Sequence, residues 1–339
     1  MKLKTGEIID LSRPETFYPI HFHLSPTMLS TSKSCGQKFF YKYVKRIKPL
    51  KESASLLRGR VVHRAMQLWL MSKQSAMPGW EQYADMPIEQ LVKIILWEYA
   101  YRTDDVYDAI QSRYEFPHDK RGFYSWEEFH KQMITSIFLL RKYITSRNIY
   151  PVVVNGVPAI ELSLTYPLTT KIQVKNIVDM IGIDTSNGTT SVYDWKIGMR
   201  KYAVKDGISE ARTNDAVISY AWAAWKSFGD KGIGLYEWPI NTKIVRSVVK
   251  KSGEPSDSVE TDGIIGVESF HRPISYKECM EFLDEAQISL NQISNMMLTK
   301  NKTGMCISMC DYSSLCLMGT TDGYAQVVEV EDEDSDEGE

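Results

Sequence analysis

Ser191-Val192-Tyr193-Asp194-Trp195-Lys196-Ile197 is the stretch on which the fold turns. Its residues are β-branched and aromatic, and side chains alternate across a strand, so Asp194 and Lys196 share one face about 7 Å apart at the Cα level. Val192 shares that face, while Tyr193, Trp195 and Ile197 point the other way, into a core. The strand presents a carboxylate able to hold a metal ion and a cation able to steer or deprotonate water. That pairing suits phosphodiester hydrolysis.

Working outward, residues 159–166 and 172–183 carry two more strand patterns, and with residues 190–197 they read as a three-stranded meander closed by short polar turns such as Thr185-Ser186-Asn187-Gly188. On the middle strand Asp179 interrupts the apolar run Ile177-Val178-Asp179-Met180-Ile181. A buried carboxylate is costly unless it is partnered. A divalent cation shared with Asp194 is one partner, and hard oxygen ligands suit Mg²⁺ or Mn²⁺; a structural salt bridge is the other. Glu161 on the first strand is a candidate for a second ion or for positioning water, with a solvent-facing glutamate as the plain alternative.

Upstream, residues 1–150 read as largely helical. Ser25-Pro26 is an N-cap followed by proline at the first helical position, opening a helix that runs toward Tyr43. Further helices are expected over 59–70, 87–99 and 126–145, with a loop rich in Asp, Tyr and Arg between the last two. Downstream come a helix over 214–228, a strand over 232–238, a hairpin from 242–249 and 263–270, and a long amphipathic helix over 275–298. The expected organisation is a helical region (1–150), an α/β core with a central mixed sheet flanked by helices (151–300), a cysteine segment (301–320) and a disordered acidic tail (321–339).

The net charge of −3 over 339 residues hides an asymmetry. Glu-Val-Glu-Asp-Glu-Asp-Ser-Asp-Glu-Gly-Glu at 329–339 carries eight acids, leaving forty bases against thirty-five acids in residues 1–328, a net of +5. Between residues 33 and 64 there are ten Lys or Arg and one acid, Glu52, interleaved with Phe39, Phe40, Tyr41 and Tyr43. Such a run tracks a polyanion or is a solvated helix face. The acidic tail either mimics nucleic acid, recruits a basic protein partner, or simply solubilises. No apolar run is long enough to span a bilayer and the amino terminus lacks a secretory pattern, so no membrane association and a cytoplasmic setting are expected, with reduced thiols.

Five cysteines occur, and Cys306, Cys310 and Cys316 cluster as Cys-x3-Cys-x5-Cys. Cys279 falls on helix core positions and reads as a small apolar residue. That leaves Cys35, Cys306, Cys310 and Cys316, a four-thiolate set that suits zinc or an iron–sulfur cluster alike and that would staple the first helix to the end of the fold. His63 follows Gly59 in Gly-x-x-x-His spacing, which places both on one side of a helix. Spacing alone fits a packed or surface histidine as readily as a ligand.

Together these motifs resemble the RecB-like branch of the PD-(D/E)XK nuclease superfamily, especially its iron–sulfur members. The likeness runs from His23-Leu24-Ser25-Pro26 to Cys316. Residues 25–41 look like the opening helix with its first cluster cysteine, and Gly59 to His63 like the histidine motif. Ile177-Val178-Asp179 looks like the first metal-binding aspartate, and Asp194-Trp195-Lys196-Ile197-Gly198 like the Asp/Glu-x-Lys signature. The resemblance implies a restriction-endonuclease-like fold, His63, Asp179 and Asp194 as metal ligands, Lys196 as the catalytic lysine, and a structural [4Fe-4S] cluster on Cys35, Cys306, Cys310 and Cys316. Tyr220 aligns with the tyrosine of the family's Gln-x-x-x-Tyr motif, with Ala216 standing at the glutamine position. The implied function is a Mg²⁺- or Mn²⁺-dependent DNA exonuclease of recombination or repair. A catalytically silent DNA-binding or recombination-adaptor module on the same fold is the alternative.

Overall fold

The computed structural model describes residues 2–5, 23–74, 79–115, 118–119, 122–123, 126–154, 156–197, 215–228, 235–241, 267–295, 297, 299–301 and 310–328. In chain order the principal elements are β1 (Lys2–Thr5), β2 (His23–Leu24), α1 (Pro26–Ser34), α2 (Gly36–Phe39), β3 (Ile47–Pro49), α3 (Ala54–Ser72), α4 (Ile88–Tyr99), α5 (Val106–Arg113) and α6 (Trp126–Ser146). There follow β4 (Ile149–Pro151), β5 (Ile160–Pro167), β6 (Gln173–Asp184), β7 (Thr189–Tyr193), β8 (Lys196–Ile197), α7 (Asp215–Phe228), β9 (Leu235–Asn241), β10 (Val267–Pro273), α8 (Tyr276–Ser294), α9 (Ser313–Met318) and β11 (Tyr324–Val328). The chain divides into two compact units. One comprises residues 1–51, 167–174 and 283–339, and the other residues 52–166 and 175–282.

The larger unit is a mixed α/β structure. Its central strands lie in the order β5-β6-β7-β9-β8, with β4 added against β6 and β10 against β9. β6 and β7 pair antiparallel, from Met180 opposite Tyr193 to Asp184 opposite Thr189. β9 then runs parallel to both β7 and β8. The expected meander is present through Tyr193, but its third strand is not continuous to Ile197: pairing lapses at Asp194–Trp195 and resumes at Lys196 as β8 along β9, whose parallel pairing makes the sheet mixed. Helices α3, α4 and α6 pack one face, where Leu57, Val61, Met66, Ile95, Phe129 and Leu140 join Met180, Tyr193 and Trp195 in one buried cluster. Each such side chain is worth about 1.5–3 kcal/mol when fully buried. Arg58 of α3 donates to Gln132 of α6 at 2.6 Å inside this layer, giving a buried guanidinium a partner.

The smaller unit is a three-stranded sheet, β1-β11-β3, in which both outer strands pair antiparallel with β11. Tyr312 stacks on Tyr324 with ring centroids 6.0 Å apart and donates its hydroxyl to the carbonyl of Ile47 at 2.8 Å.

Several expectations change in detail. The helix opened by Ser25, whose hydroxyl accepts from Met28 N, does not continue to Tyr43. It stops at Cys35, which is extended (φ −160°, ψ 107°), and helical structure resumes as α2 and a π-helical turn at Phe40–Val44. Within the expected Asp/Tyr/Arg loop, α5 forms with Asp105 as its N-cap. Phe39 and Tyr41 are buried, as are Lys45 and Arg58, so the basic run is not one exposed face. The expected hairpin, apart from residues 267–270 in β10, lies outside the described residues, as do Cys306 and residues 329–339; the first part of the segment expected to be a disordered tail is instead ordered, with Tyr324–Val328 forming β11. No helix among the described residues is long and apolar enough to cross a membrane.

Candidate metal centre

The β6–β7 ladder stops at Met180 opposite Tyr193. The next two residues, Asp179 and Asp194, therefore stand across from each other where the two strands part. Beyond that point the backbone N–H of Trp195 has no strand partner on β6. It donates instead to Asp179 Oδ2 at 2.6 Å, so a carboxylate takes the place of a ladder carbonyl. The indole of Trp195 is buried and stacks on Tyr193 at 5.7 Å, which anchors this strand end in the core.

His63 enters from the middle of α3. Its Nε2 lies 3.0 Å from the carbonyl oxygen of Trp195. Its Nδ1 lies 3.3 Å from Asp179 Oδ1 and 3.5 Å from Glu161 Oε1. One ligand atom from each of His63, Glu161 and Asp179 lies within 4.8 Å of the others. An imidazole and two carboxylates so placed form a donor set for a hard or borderline divalent cation. Burial pulls the His63 imidazole down, but Asp179 first and then Glu161 outweigh it and hold it well above its ordinary value.

Glu161 reaches the site through its backbone. It is a non-glycine residue at φ 49° within β5, a left-handed conformation that strands do not use and that costs of order 1–2 kcal/mol. Strain of this kind collects at functional positions. Tyr220, half-buried on α7, completes the surroundings. Burial, followed by the charges of Asp194, Asp179 and Glu161, pushes its phenol far up. The hydroxyl thus stays protonated, within electrostatic reach of all three carboxylates.

Of the expected ligands, His63 and Asp179 converge, but the third member of the group within 4.8 Å is Glu161 rather than Asp194; Asp194 and Tyr220 lie beside it. The backbone of Lys196 is fixed by pairing with Ile240 in β8–β9; its side chain lies outside the described residues. The sequence did not single out the clamp on Trp195, whose N–H and carbonyl are each held by a site residue. No local pattern marks it, because both contacts come from elements far away in sequence.

The cysteines occupy a separate place. Cys35, Cys310 and Cys316 line one small cavity of the smaller unit, although their three sulfurs do not all lie within 4.8 Å of one another. Residues 299–301 bind back to this corner: Gly36 N donates to Thr299 O at 2.8 Å, Asn301 Nδ2 to Ser34 O at 2.7 Å, and Lys300 Nζ to Cys316 O at 2.8 Å. Cys279 is fully buried on α8, as expected of an apolar core residue.

A mixed sheet brings an imidazole and carboxylates from adjacent strands to one point, which gives an α/β protein with a donor set that could hold a metal ion. The chain belongs to the PD-(D/E)XK nuclease superfamily, whose family model matches residues 23–317. No curated protein sequence matches the chain. Among solved structures it is similar to a phage-related exonuclease from Haemophilus somnus 129PT, at 10% identity over 74% of this chain and 97% of that one, with a TM-score of 0.26. At that score the likeness supports no residue-level equivalence.

Proposed function

We propose that this chain is a Mg²⁺- or Mn²⁺-dependent deoxyribonuclease, an exonuclease that acts on DNA ends or single strands in recombination, repair or DNA processing. The convergence of His63, Glu161 and Asp179 beside Asp194 is the observation that carries this reading. In it His63, Asp179 and Asp194 hold the cation, and Glu161 either completes that shell or positions water. Bound there, the cation polarises the phosphate and lowers the pKa of water. Lys196 orients or deprotonates the attacking water and offsets charge on the transition-state oxygens. Tyr220, kept protonated, donates to a phosphate or water oxygen. The clamp on the Trp195 backbone keeps Asp194 and Lys196 in register with His63 and Asp179, which is the positioning that in-line attack requires.

In the same reading the chain falls in the RecB-like iron–sulfur branch, with a structural [4Fe-4S] cluster on Cys35, Cys306, Cys310 and Cys316. Three of these lining a single cavity, with Cys279 committed to the core, supports that assignment. DNA is the partner, and the acidic tail shields the basic body or engages a basic protein.

The deciding experiment compares wild type with Lys196→Ala on end-labelled single- and double-stranded DNA, with Mn²⁺ and with EDTA. Digestion by wild type that EDTA and the substitution both abolish is expected. Equal inactivity of both proteins on every DNA and RNA substrate would replace this reading with a silent DNA-binding module.

A further inference from the structure

Away from the metal pocket, the helical layer of the larger unit carries three arginine–aromatic pairs between residues 64 and 113. Arg64 lies over Trp80 at 6.0 Å, Arg102 over Trp97 at 5.7 Å and Arg113 over Tyr101 at 3.9 Å. The first two sit near the 6 Å limit for such contacts, and Arg113–Tyr101 is the close one. Tyr101 and Arg102, next to each other in the turn after α4, are both left-handed, at φ 57° and 60°. Bulky L-residues pay of order 1–2 kcal/mol each for that conformation. Burial does not offset the cost, because Tyr101 is 76% exposed and Trp97 39% exposed.

Arg113 holds the turn in this shape. Its Nη1 donates to the carbonyl of Tyr99 and its Nη2 to the hydroxyl of Tyr101, each at 2.7 Å. Its guanidinium therefore covers one face of the Tyr101 ring and leaves most of the ring to solvent. Arg64, at the other end of the series, follows His63 directly on α3. Arg64 donates to Gln67 Oε1 at 2.8 Å and lies 4.0 Å from Glu98; Asp105 caps α5 through Asp108 N, and Glu89, Asp104 and Glu127 line a cavity with Trp97 together with Lys93, Lys131 and His130.

We propose that the Tyr101–Arg102 turn, with Arg113 and Trp97, is a stacking platform for the single-stranded part of the substrate. Exposed aromatic faces take any base, at about 1–3 kcal/mol per stacked base, and adjacent guanidinium groups take the phosphates between them. A preset ring and a preset cation lower the ordering cost of binding a flexible strand, which accounts for strain retained at an exposed turn. The proposal rests on the nuclease reading above and specifies where its substrate lies.

The test measures binding of a fluorescein-labelled oligodeoxythymidine to the full chain by anisotropy in EDTA, and Mn²⁺-dependent cleavage of the same strand. Tyr101→Ala and Arg113→Ala are expected to weaken binding about 5- to 100-fold, to raise KM and to leave kcat at saturation unchanged. Arg113→Ala also lowers the slope of log affinity against log salt by about 0.7. Tyr101→Phe keeps the affinity, and Tyr101→Gly loses it while the melting temperature holds or rises as strain is relieved. Wild-type affinity in Tyr101→Ala and Arg113→Ala, or equal losses in Tyr101→Phe and Tyr101→Ala, overturns the platform. Binding differences that persist in a protein with no cleavage at all support the platform and remove the nuclease reading.

Discussion

His63 presents its Nε2 to the carbonyl oxygen of Trp195 at 3.0 Å, and its Nδ1 to Asp179 and Glu161. A carbonyl only accepts, so Nε2 carries a proton; Nδ1, raised in basicity by the two carboxylates, donates to them, and a cation bound between them would displace that proton and take the Nδ1 lone pair. Ligating histidines are oriented in this way by a backbone partner. Losing only such an outer partner costs about 10- to 100-fold in metal affinity, so His63→Ala is expected to weaken Mn²⁺ binding by at least that much in titration calorimetry. Undiminished Mn²⁺ affinity in the variant would remove His63 from the ligand set.

The left-handed backbone of Glu161 separates its contribution to the site from its contribution to stability. Asparagine tolerates φ near 50°, whereas a β-branched residue does not. Glu161→Asn should therefore keep or raise the melting temperature while weakening Mn²⁺ binding. Glu161→Val should lose both, with a stability cost of about 1–3 kcal/mol. Equal melting temperatures for the two variants would show that the backbone there is unstrained.

Gly182 links the core to the site. A Cβ at this position would lie 2.9 Å from Met180 Cε and from Tyr193 Cε2, and 3.0 Å from Ile149 Cγ2. Tyr193 stacks on Trp195, whose backbone is held by Asp179 and His63. Overpacking costs about 1–3 kcal/mol, so Gly182→Ala should lower stability by that order in urea denaturation and weaken Mn²⁺ binding in parallel. Stability loss with undisturbed metal affinity would uncouple the Tyr193–Trp195 stack from the site.

Asp184, at the end of β6, gives the larger unit an acid-labile contact. Burial pushes its carboxyl up, but hydrogen bonds from Ser186 and Arg147 more than offset this and leave it below its ordinary value. Arg147 Nη2 reaches Asp184 Oδ2 at 2.8 Å. A carboxyl lowered by folding stabilises above its unfolded pKa, and that stabilisation disappears as pH falls through the folded value. Asp184→Asn should cost about 1–3 kcal/mol near neutral pH and converge with wild type in strong acid. A constant difference down to pH values well below the ordinary carboxylate range would contradict this.

The parts of the site legible in the sequence were those with a local signature. Asp179 breaks an apolar run, and Asp194-Trp195-Lys196 carries the Asp-x-Lys spacing, although the expected single strand there is split, with β7 ending at Tyr193 and β8 starting at Lys196. Glu161 stayed ambiguous because its direction depends on a left-handed backbone that no residue type announces. The turn at Tyr101 was hidden for a similar reason; the helix after it, Val106–Arg113, does carry an i, i+3, i+4 apolar stripe at Val106, Ala109 and Ile110, but two turns are too short for that stripe to stand out from a polar loop. Phe39 and Tyr41 looked available for base stacking beside their lysines, yet they are buried in the smaller unit. The parallel pairing of β9 with β7 joins residues more than forty apart, beyond the reach of pattern reading.

Cys35 illustrates how the helix break and the thiol belong together. The residue leaves α1 in an extended conformation, which ends the helix and sets its side chain in the cavity shared with Cys310 and Cys316. Tyr41, on the same cavity, has its phenol pushed up by burial and then by the charge of Cys316. Binding energy at a structural cluster is also folding energy, so anaerobic loading should raise the melting temperature and protect residues 35–41 and 310–318 from hydrogen exchange. Cys35→Ser and Cys310→Ser are each expected to lose bound iron and acid-labile sulfide together with that protection, whereas Cys279→Ser keeps both. Stoichiometric zinc without sulfide in anaerobically purified protein would make the site a zinc staple, and full protection in metal-free protein would remove the staple altogether.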